Sequence, residues 1–131
     1  KKLVIEPNRQ IVAALRAKNP AVKIIGFPRL SGLLVGAYVR GTGVDAVGLD
    51  SVTDPAAAIA ACPPGSVFQG NLDPLLLRVG GAALDQGIAD TLDGFRGQRH
   101  IFNLGHGITP DVKPETVARL MNVIQASSAA L

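Results

Sequence analysis

Short apolar runs alternate with longer segments of helical spacing along this chain. The apolar runs predict strands at 22–27, 45–50, 66–70 and 100–105. The longer segments predict helices at 6–18, 32–43, 54–62, 81–95 and 114–127. The strand runs are apolar on both faces, which is typical of parallel strands inside a sheet that is covered on two sides.

Single residues at the ends of these segments support the predicted helices. Pro7 suits the first turn of the first helix, and Asn19 followed by a proline is expected to stop it. Asp54 is the expected N-cap of the third helix, with Pro55 in its first helical position.

The alternation of strands and helices predicts an α/β fold with about four parallel strands and right-handed crossover helices. Two architectures fit this pattern. One is a self-contained flavodoxin-like sheet, which would usually add a fifth strand, and the other is half of a (β/α)8 TIM barrel, which takes about 250 residues when whole. No linker interrupts residues 1–131, so we expect one domain, and because the first residue is Lys1 rather than Met we expect part of a longer protein.

Composition narrows the class of protein and of partner. Only 18% of the 131 residues are charged, which predicts faces that are covered by other protein. The net charge of +3 is dispersed, so we expect no nucleic-acid partner, whereas a substrate rich in carboxylates would suit it. Cys62 is the sole cysteine and is interpreted as a small buried residue in a reducing, cytoplasmic compartment. No apolar run is long enough for a transmembrane helix, so no membrane association is expected.

Polar residues cluster after each predicted strand, where the carboxyl ends of parallel strands would bring them to one edge. These residues are Arg29, Asp50, Asn71, Asp73, Asn103 and His106. Each also has a simpler interpretation. The aspartates fit turn or cap positions, the second of them before a short PLLL helix. The asparagines could satisfy loop backbone, and the arginine fits either a surface position or an ion pair.

His106 is the most informative of these residues. It stands between Gly105 and Gly107, so it has little side-chain cover, and its ordinary pKa of about 6.5 suits proton transfer near neutrality. On pattern alone a catalytic histidine and a hydrogen-bonded loop histidine remain equally good interpretations. His100 opens its strand and is interpreted as structural. The glycine-rich turns match neither a dinucleotide-binding fingerprint nor a P-loop.

Four motifs together resemble the uroporphyrinogen decarboxylase family: GFPRLSG, VGLD, FQGNLDP and HIFNLGHGITPDVKPETV. They occur in family order over nearly the whole chain. The family fold is a distorted (β/α)8 barrel, and the matching part is its C-terminal portion. The resemblance therefore favours the half-barrel architecture.

The resemblance also implies an activity and a set of residue roles. The family removes carboxyl groups from the four acetate side chains of uroporphyrinogen, giving coproporphyrinogen in haem synthesis, without a metal or an organic cofactor. It implies that His106 is catalytic and contacts a substrate carboxylate or assists proton transfer. It places Arg29 where the family carries a basic residue, which implies substrate binding, and Asn71 and Asp73 on a loop that supports the site. Family members usually form homodimers.

Several family features have no counterpart in this sequence. The arginine-rich substrate motif, the aspartate that gathers pyrrole N–H groups, and the tyrosine and serine of the cleft belong to an earlier part of the family sequence, so we expect the isolated chain to be inactive. Ser51 stands where the family commonly has tryptophan. The related zinc-dependent thiol methyltransferases need a His-x-Cys pair and a second cysteine, which KIIGFPR and GHG do not supply, so no metal site is expected.

A second hypothesis is a non-catalytic module. Half of a barrel leaves strand edges unpaired and one inner layer unfilled. Such a chain is expected to aggregate, to pair with the missing half, or to assemble with a second copy.

Overall fold

The computed structural model describes residues 2–129 and contains four strands and six helices within that range. The strands are β1 (Ile25–Gly26), β2 (Ala46–Gly48), β3 (Val67–Leu72) and β4 (Arg99–Leu104). The helices are α1 (Ile5–Lys18), α2 (Val35–Thr42), α3 (Pro55–Ala61), α4 (Leu75–Val79), α5 (Gly81–Gly94) and α6 (Pro114–Ala129). A short 3-10 turn at Gly32–Leu34 leads into α2. No helix in this range is long and apolar enough to span a bilayer.

The four strands form one parallel sheet in which each strand pairs with the next along the chain, in the order β1-β2-β3-β4. A flavodoxin-like sheet places its first strand between the second and third, in the order 2-1-3-4-5. A barrel instead adds each new strand beside the previous one. The observed order therefore confirms the predicted α/β fold with crossover helices and agrees with the half-barrel architecture.

The predicted bounds were wrong for β1, β2 and β3, and those of β4 were shifted by one residue. β1 has only two paired residues where six were predicted, and β2 has three where six were predicted. β3 extends to Leu72, two residues further than predicted, because Asn71 and Leu72 pair with Asn103 and Leu104 of β4. Asn71 consequently belongs to a strand, and only the following residues form the turn.

The helices pack on one face of the sheet. One core cluster joins Val47 and Phe68 of the sheet to Val35 and Tyr38 of α2. A second cluster joins Leu72 to α4, α5 and α6. The strand residues of both clusters occupy matching positions in the parallel register, so they point to the same side. Cys62 is buried in the first cluster, in the environment that the sequence predicted.

The opposite face of the sheet carries no helix among the described residues. Ile25 and Ile101 alternate with the core positions of their strands and remain 45% and 43% exposed. Phe27 is 49% exposed and lies across Gly48, where an added Cβ would come within 2.9 Å of the Phe27 ring. This helix-free face is the side that lines the interior of a closed barrel.

Candidate functional site

The carboxyl edge of the sheet collects the connections that follow all four strands, because all four are parallel. Active sites of (β/α)8 proteins lie at this edge. We call it the rim. It includes residues 28–31 after β1, residues 49–54 after β2, residues 73–74 after β3 and residues 105–113 after β4.

Arg29 lies in the first rim connection and is exposed. Its side chain makes no hydrogen bond or ion pair within the part of the chain that the structure describes. The other seven arginines of the sequence each have a partner in that part: Arg9, Arg16, Arg78, Arg96 and Arg119 contact carboxylates, and Arg40 and Arg99 contact backbone carbonyls. Of the two simpler interpretations, a surface arginine and an ion-paired one, the described residues fit a surface arginine, because Arg29 is exposed and has no carboxylate partner among them.

Asp50 follows β2 and is the central polar group of the rim. It is only 6% exposed, and both carboxylate oxygens accept hydrogen bonds. The Leu30 backbone N–H donates to Oδ2 at 2.6 Å, and the Thr53 hydroxyl donates to Oδ1 at 2.7 Å. Asp50 thus links the connection after β1 to the connection after β2, a role that goes beyond the cap or turn residue expected from its sequence position.

Leu30 has an unusual backbone conformation at this link. Its φ of 58° lies in the left-handed region, which costs a non-glycine residue about 1–2 kcal/mol. A hydrogen bond from a backbone N–H to a carboxylate contributes about 1.5–3 kcal/mol when it is shielded from water. The contact with Asp50 is therefore large enough to hold Leu30 in this conformation.

Asn71 supports the same link from β3. Its side-chain amide donates to the backbone carbonyls of Asp50 and Thr53, at 2.8 and 2.7 Å. Because Asn71 is buried, these two bonds fix the turn after β2 against β3. Asp73 and Asn103 act more locally. The Asp73 carboxylate accepts the Leu75 N–H at 2.9 Å in the turn before α4, whose N-cap is Pro74, so Asp73 is a turn residue rather than the cap, and the Asn103 side-chain oxygen accepts the N–H of its neighbour.

His106 lies in the bend after β4 and is exposed. The connection that carries it is fixed on both sides. Gly105 donates its N–H to the Leu72 carbonyl at 2.8 Å, and a Cβ at Gly105 would come within 2.2 Å of the Ser51 nitrogen. Only glycine permits so close an approach of two backbones.

On the far side of His106, the Asp111 carboxylate forms an ion pair with Arg78 of α4 at 2.6 Å. The connection after β4 is therefore tied to α4 as well as to the turn after β2.

The structure thus brings some of the expected site residues together and leaves others apart. Asp50 and Asn71 are in direct contact, and Arg29 joins them through the backbone of its neighbour Leu30. His106 shares the rim with them, but within residues 2–129 it has no hydrogen bond or ion pair to Arg29, Asn71 or Asp73. Sequence reasoning missed Leu30 and Thr53, because neither a left-handed leucine nor a hydroxyl three residues after an aspartate has a distinctive pattern.

His100 has a different environment at the other end of β4. Its ring stacks on Phe95 with 4.2 Å between centroids, and its Nε2–H donates to the Gly70 carbonyl at 2.6 Å. Burial lowers the pKa of His100, although the bond to Gly70 acts in the opposite direction. These contacts are those of a structural histidine.

A cavity of about 610 Å³ borders His100 and Phe102, between the start of β4, α5 and α6. It is lined mainly by apolar atoms of the helix layer and does not reach the rim. The rim, which carries the exposed arginine and histidine, therefore remains the candidate site. Among the described residues, no group of three or more His, Cys, Asp or Glu side chains is placed to hold a metal ion.

Comparison with known proteins identifies the family. The sequence profile of uroporphyrinogen decarboxylase (URO-D) matches residues 1–127. The chain is 51% identical over 123 residues to the uroporphyrinogen decarboxylase of Acidiphilium cryptum, covering 94% of this chain. It is 51% identical over 122 residues to that of Granulibacter bethesdensis and 48% identical over 125 residues to that of Hyphomonas neptunium.

These matches cover 34–36% of the three relatives, so the chain spans about a third of their length. The parallel strand order, the rim and the matched profile agree with one another. The chain belongs to the uroporphyrinogen decarboxylase family.

Proposed function

We propose that this chain is the C-terminal portion of an enzyme that decarboxylates the four acetate side chains of uroporphyrinogen III, giving coproporphyrinogen III in porphyrin and haem biosynthesis. The observation that carries the proposal is the free guanidinium of Arg29 on the same rim as the exposed His106. A substrate with many carboxylates needs such cations, and each of the other arginines in the described residues already contacts a carboxylate or a backbone carbonyl.

The proposed residue roles follow from the chemistry. A protonated pyrrole ring accepts the electron pair of the C–C bond as CO₂ leaves, so the site must deliver protons and bind carboxylates. His106 is the group that contacts a carboxylate or transfers a proton. Arg29 binds a substrate carboxylate, and Asn71 and Asp73 support the rim. No metal or organic cofactor is part of the proposal.

The remaining cleft groups of the family lie outside this sequence, so the proposal concerns the whole protein and the isolated chain is expected to be inactive. We also propose that the whole protein forms a homodimer in the cytoplasm and binds neither nucleic acid nor membrane. The free cysteine and the dispersed charge of this chain are compatible with these expectations.

The test compares two exposed arginines of the same βα unit in the full-length enzyme. Arg29→Ala is expected to raise the KM for uroporphyrinogen by about tenfold or more, since a charge-assisted hydrogen bond contributes about 1.5–3 kcal/mol. Arg40→Ala is the control, because Arg40 bonds the Ala61 carbonyl on the helix layer. Equal KM values for both variants and the parent enzyme would contradict a substrate role for Arg29.

The helix-free face supports a second candidate function, a non-catalytic half-barrel that associates with another copy. Ile25, Phe27 and Ile101 are all more than two-fifths exposed there, and burying them would be favourable. Sedimentation of the isolated chain tests this candidate. Dimers or larger species would support it, whereas a clean monomer with a cooperative melt would count against it.

A further inference from the structure

We propose that Asp50 is a positioning residue, which holds Arg29 in its substrate-binding orientation by fixing the backbone of Leu30. The inference rests on the proposed function, because it concerns the same rim. It assigns to Asp50 a role that neither the cap interpretation nor the motif resemblance gives it.

The contacts of Asp50 favour positioning over chemistry. Both of its oxygens are engaged, by Leu30 N–H and by the Thr53 hydroxyl, and the residue is 6% exposed. A buried carboxylate whose oxygens are both engaged is poorly placed to exchange protons with a substrate. Asp50 also has no ion pair within residues 2–129, so its partners are backbone and hydroxyl groups.

Asp50 acts on Arg29 through the backbone of Leu30. The Leu30 side chain is 72% exposed, so packing does little to hold it, yet its backbone is left-handed. The other hydrogen bonds of this connection are short-range ones, from Arg29 N–H to Phe27 and from Ser31 N–H to Pro28. The bond to Asp50 is therefore the one that ties the segment to another strand connection.

Asp45, just before the opposite end of β2, offers a matched control. Its carboxylate likewise accepts a backbone N–H from the segment around β1, that of Ile24 at 2.9 Å, but it also pairs with Arg16 at 3.0 Å. Asp45 and Asp50 thus fasten the same two strands at opposite ends. Only Asp50 lies on the rim.

The experiment uses the full-length enzyme and measures KM, kcat and amide hydrogen exchange of the peptide that spans 27–34. Asp50→Ala is expected to raise KM by about tenfold, with less change in kcat, and to speed exchange in that peptide. Asp50→Asn is expected to have a KM close to that of the parent enzyme, because the Oδ1 of asparagine can still accept the Leu30 N–H. Asp45→Ala is expected to leave KM unchanged.

A double variant tests whether Asp50 acts through Arg29. The KM of Asp50→Ala with Arg29→Ala is expected to equal that of Arg29→Ala alone, since one contact cannot be lost twice. If Arg29→Ala raises KM but Asp50→Ala does not, or if the two effects simply multiply, the positioning role is overturned while the proposed function stands. If Arg29→Ala leaves KM unchanged, the substrate role of Arg29 and the positioning proposal both fail.

Should Asp50→Ala not fold, Asp50→Ser replaces it. Serine keeps a hydroxyl beside Thr53 but is one atom too short to reach Leu30. The same shift in KM and exchange is expected, and unchanged values in a folded Asp50→Ser enzyme would overturn the proposal.

Discussion

The two ends of β2 carry the same kind of residue in opposite electrostatic settings. Asp45, before the strand, is surrounded by positive charge from Arg16 and Lys23, and its charge is compensated within the fold. Asp50, after the strand, has no cationic partner among the described residues, and the nearby Arg29 has no anionic one. At the Asp45 end, which we call the closed end, the charge of the carboxylate is neutralised within the fold. At the Asp50 end, which we call the open end, the positive charge of Arg29 remains available for a ligand.

The largest expected effect concerns the histidine on the open end. His106→Ala in the full-length enzyme should lower turnover by about a hundredfold, the lower range for loss of a group that moves protons, and partly decarboxylated products should accumulate. The melting temperature should change little because His106 is exposed. Product chromatography and a thermal melt measure both quantities. A large loss of stability with normal turnover would identify His106 as a structural loop residue and remove the contrast between the two ends.

The second-largest expected effect concerns the contact between Gly105 and Ser51, which fixes the connection that carries His106. Gly105→Ala places a methyl group against the Ser51 backbone. The free energy of unfolding should therefore fall by about 1–3 kcal/mol, as it does at other overpacked sites. Turnover should fall as His106 moves. Gly107→Ala is the control, because a Cβ there meets nothing within 4 Å. Similar denaturation midpoints for the two variants would show that the approach of Gly105 to Ser51 is not tight in solution.

A smaller effect should appear at the closed end in acid. The backbone bond from Ile24 and the bond from Arg16 lower the pKa of Asp45 in the folded protein. Asp45 therefore stabilises the fold above its unfolded pKa of about 3.9, and this contribution is lost as the pH falls through the lower folded value. The difference in melting temperature between the full-length enzyme and its Asp45→Asn variant should shrink over that range. A difference independent of pH would indicate that the charge of Asp45 does not contribute.

The smallest expected effect concerns the buried histidine of β4, His100. Because burial lowers the pKa of His100, the unfolded chain binds the proton more tightly, so stability should decline as the pH falls through about 6.5. His100→Phe keeps a ring against Phe95 and should flatten the dependence of stability on pH below about pH 6.5. Equal slopes in the parent enzyme and the His100→Phe variant would argue against a desolvated His100.

The sequence predicted the fold better than the detail of the rim. Apolar runs located all four strands, and Asp54 caps α3 as expected, with the Ala57 N–H donating to its carboxylate at 2.7 Å. Strand ends were less predictable because they depend on pairing. Asn71 looks like a turn residue in the chain, and only its register with Asn103 extends β3 through it.

The importance of Asp50 could not be read from its neighbours either. Its two partners come from Leu30, twenty residues earlier, and from Thr53, three residues later. A long-range bond to a backbone N–H leaves no trace in side-chain patterns. That the Arg29 side chain has no partner among residues 2–129 is also a property of the folded arrangement, since sequence alone cannot show which arginines find carboxylates.

The strand order has a consequence for how this part of the chain assembles. Each strand pairs with the one made just before it, so the sheet can grow by one βα unit at a time as the polypeptide leaves the ribosome. Each added unit closes only a short loop, which keeps the entropic barrier to each step low. Synthesis in this order also completes the turn that bears Asp50 before the connection that bears His106. The His106 connection can therefore pack against a turn that has already formed.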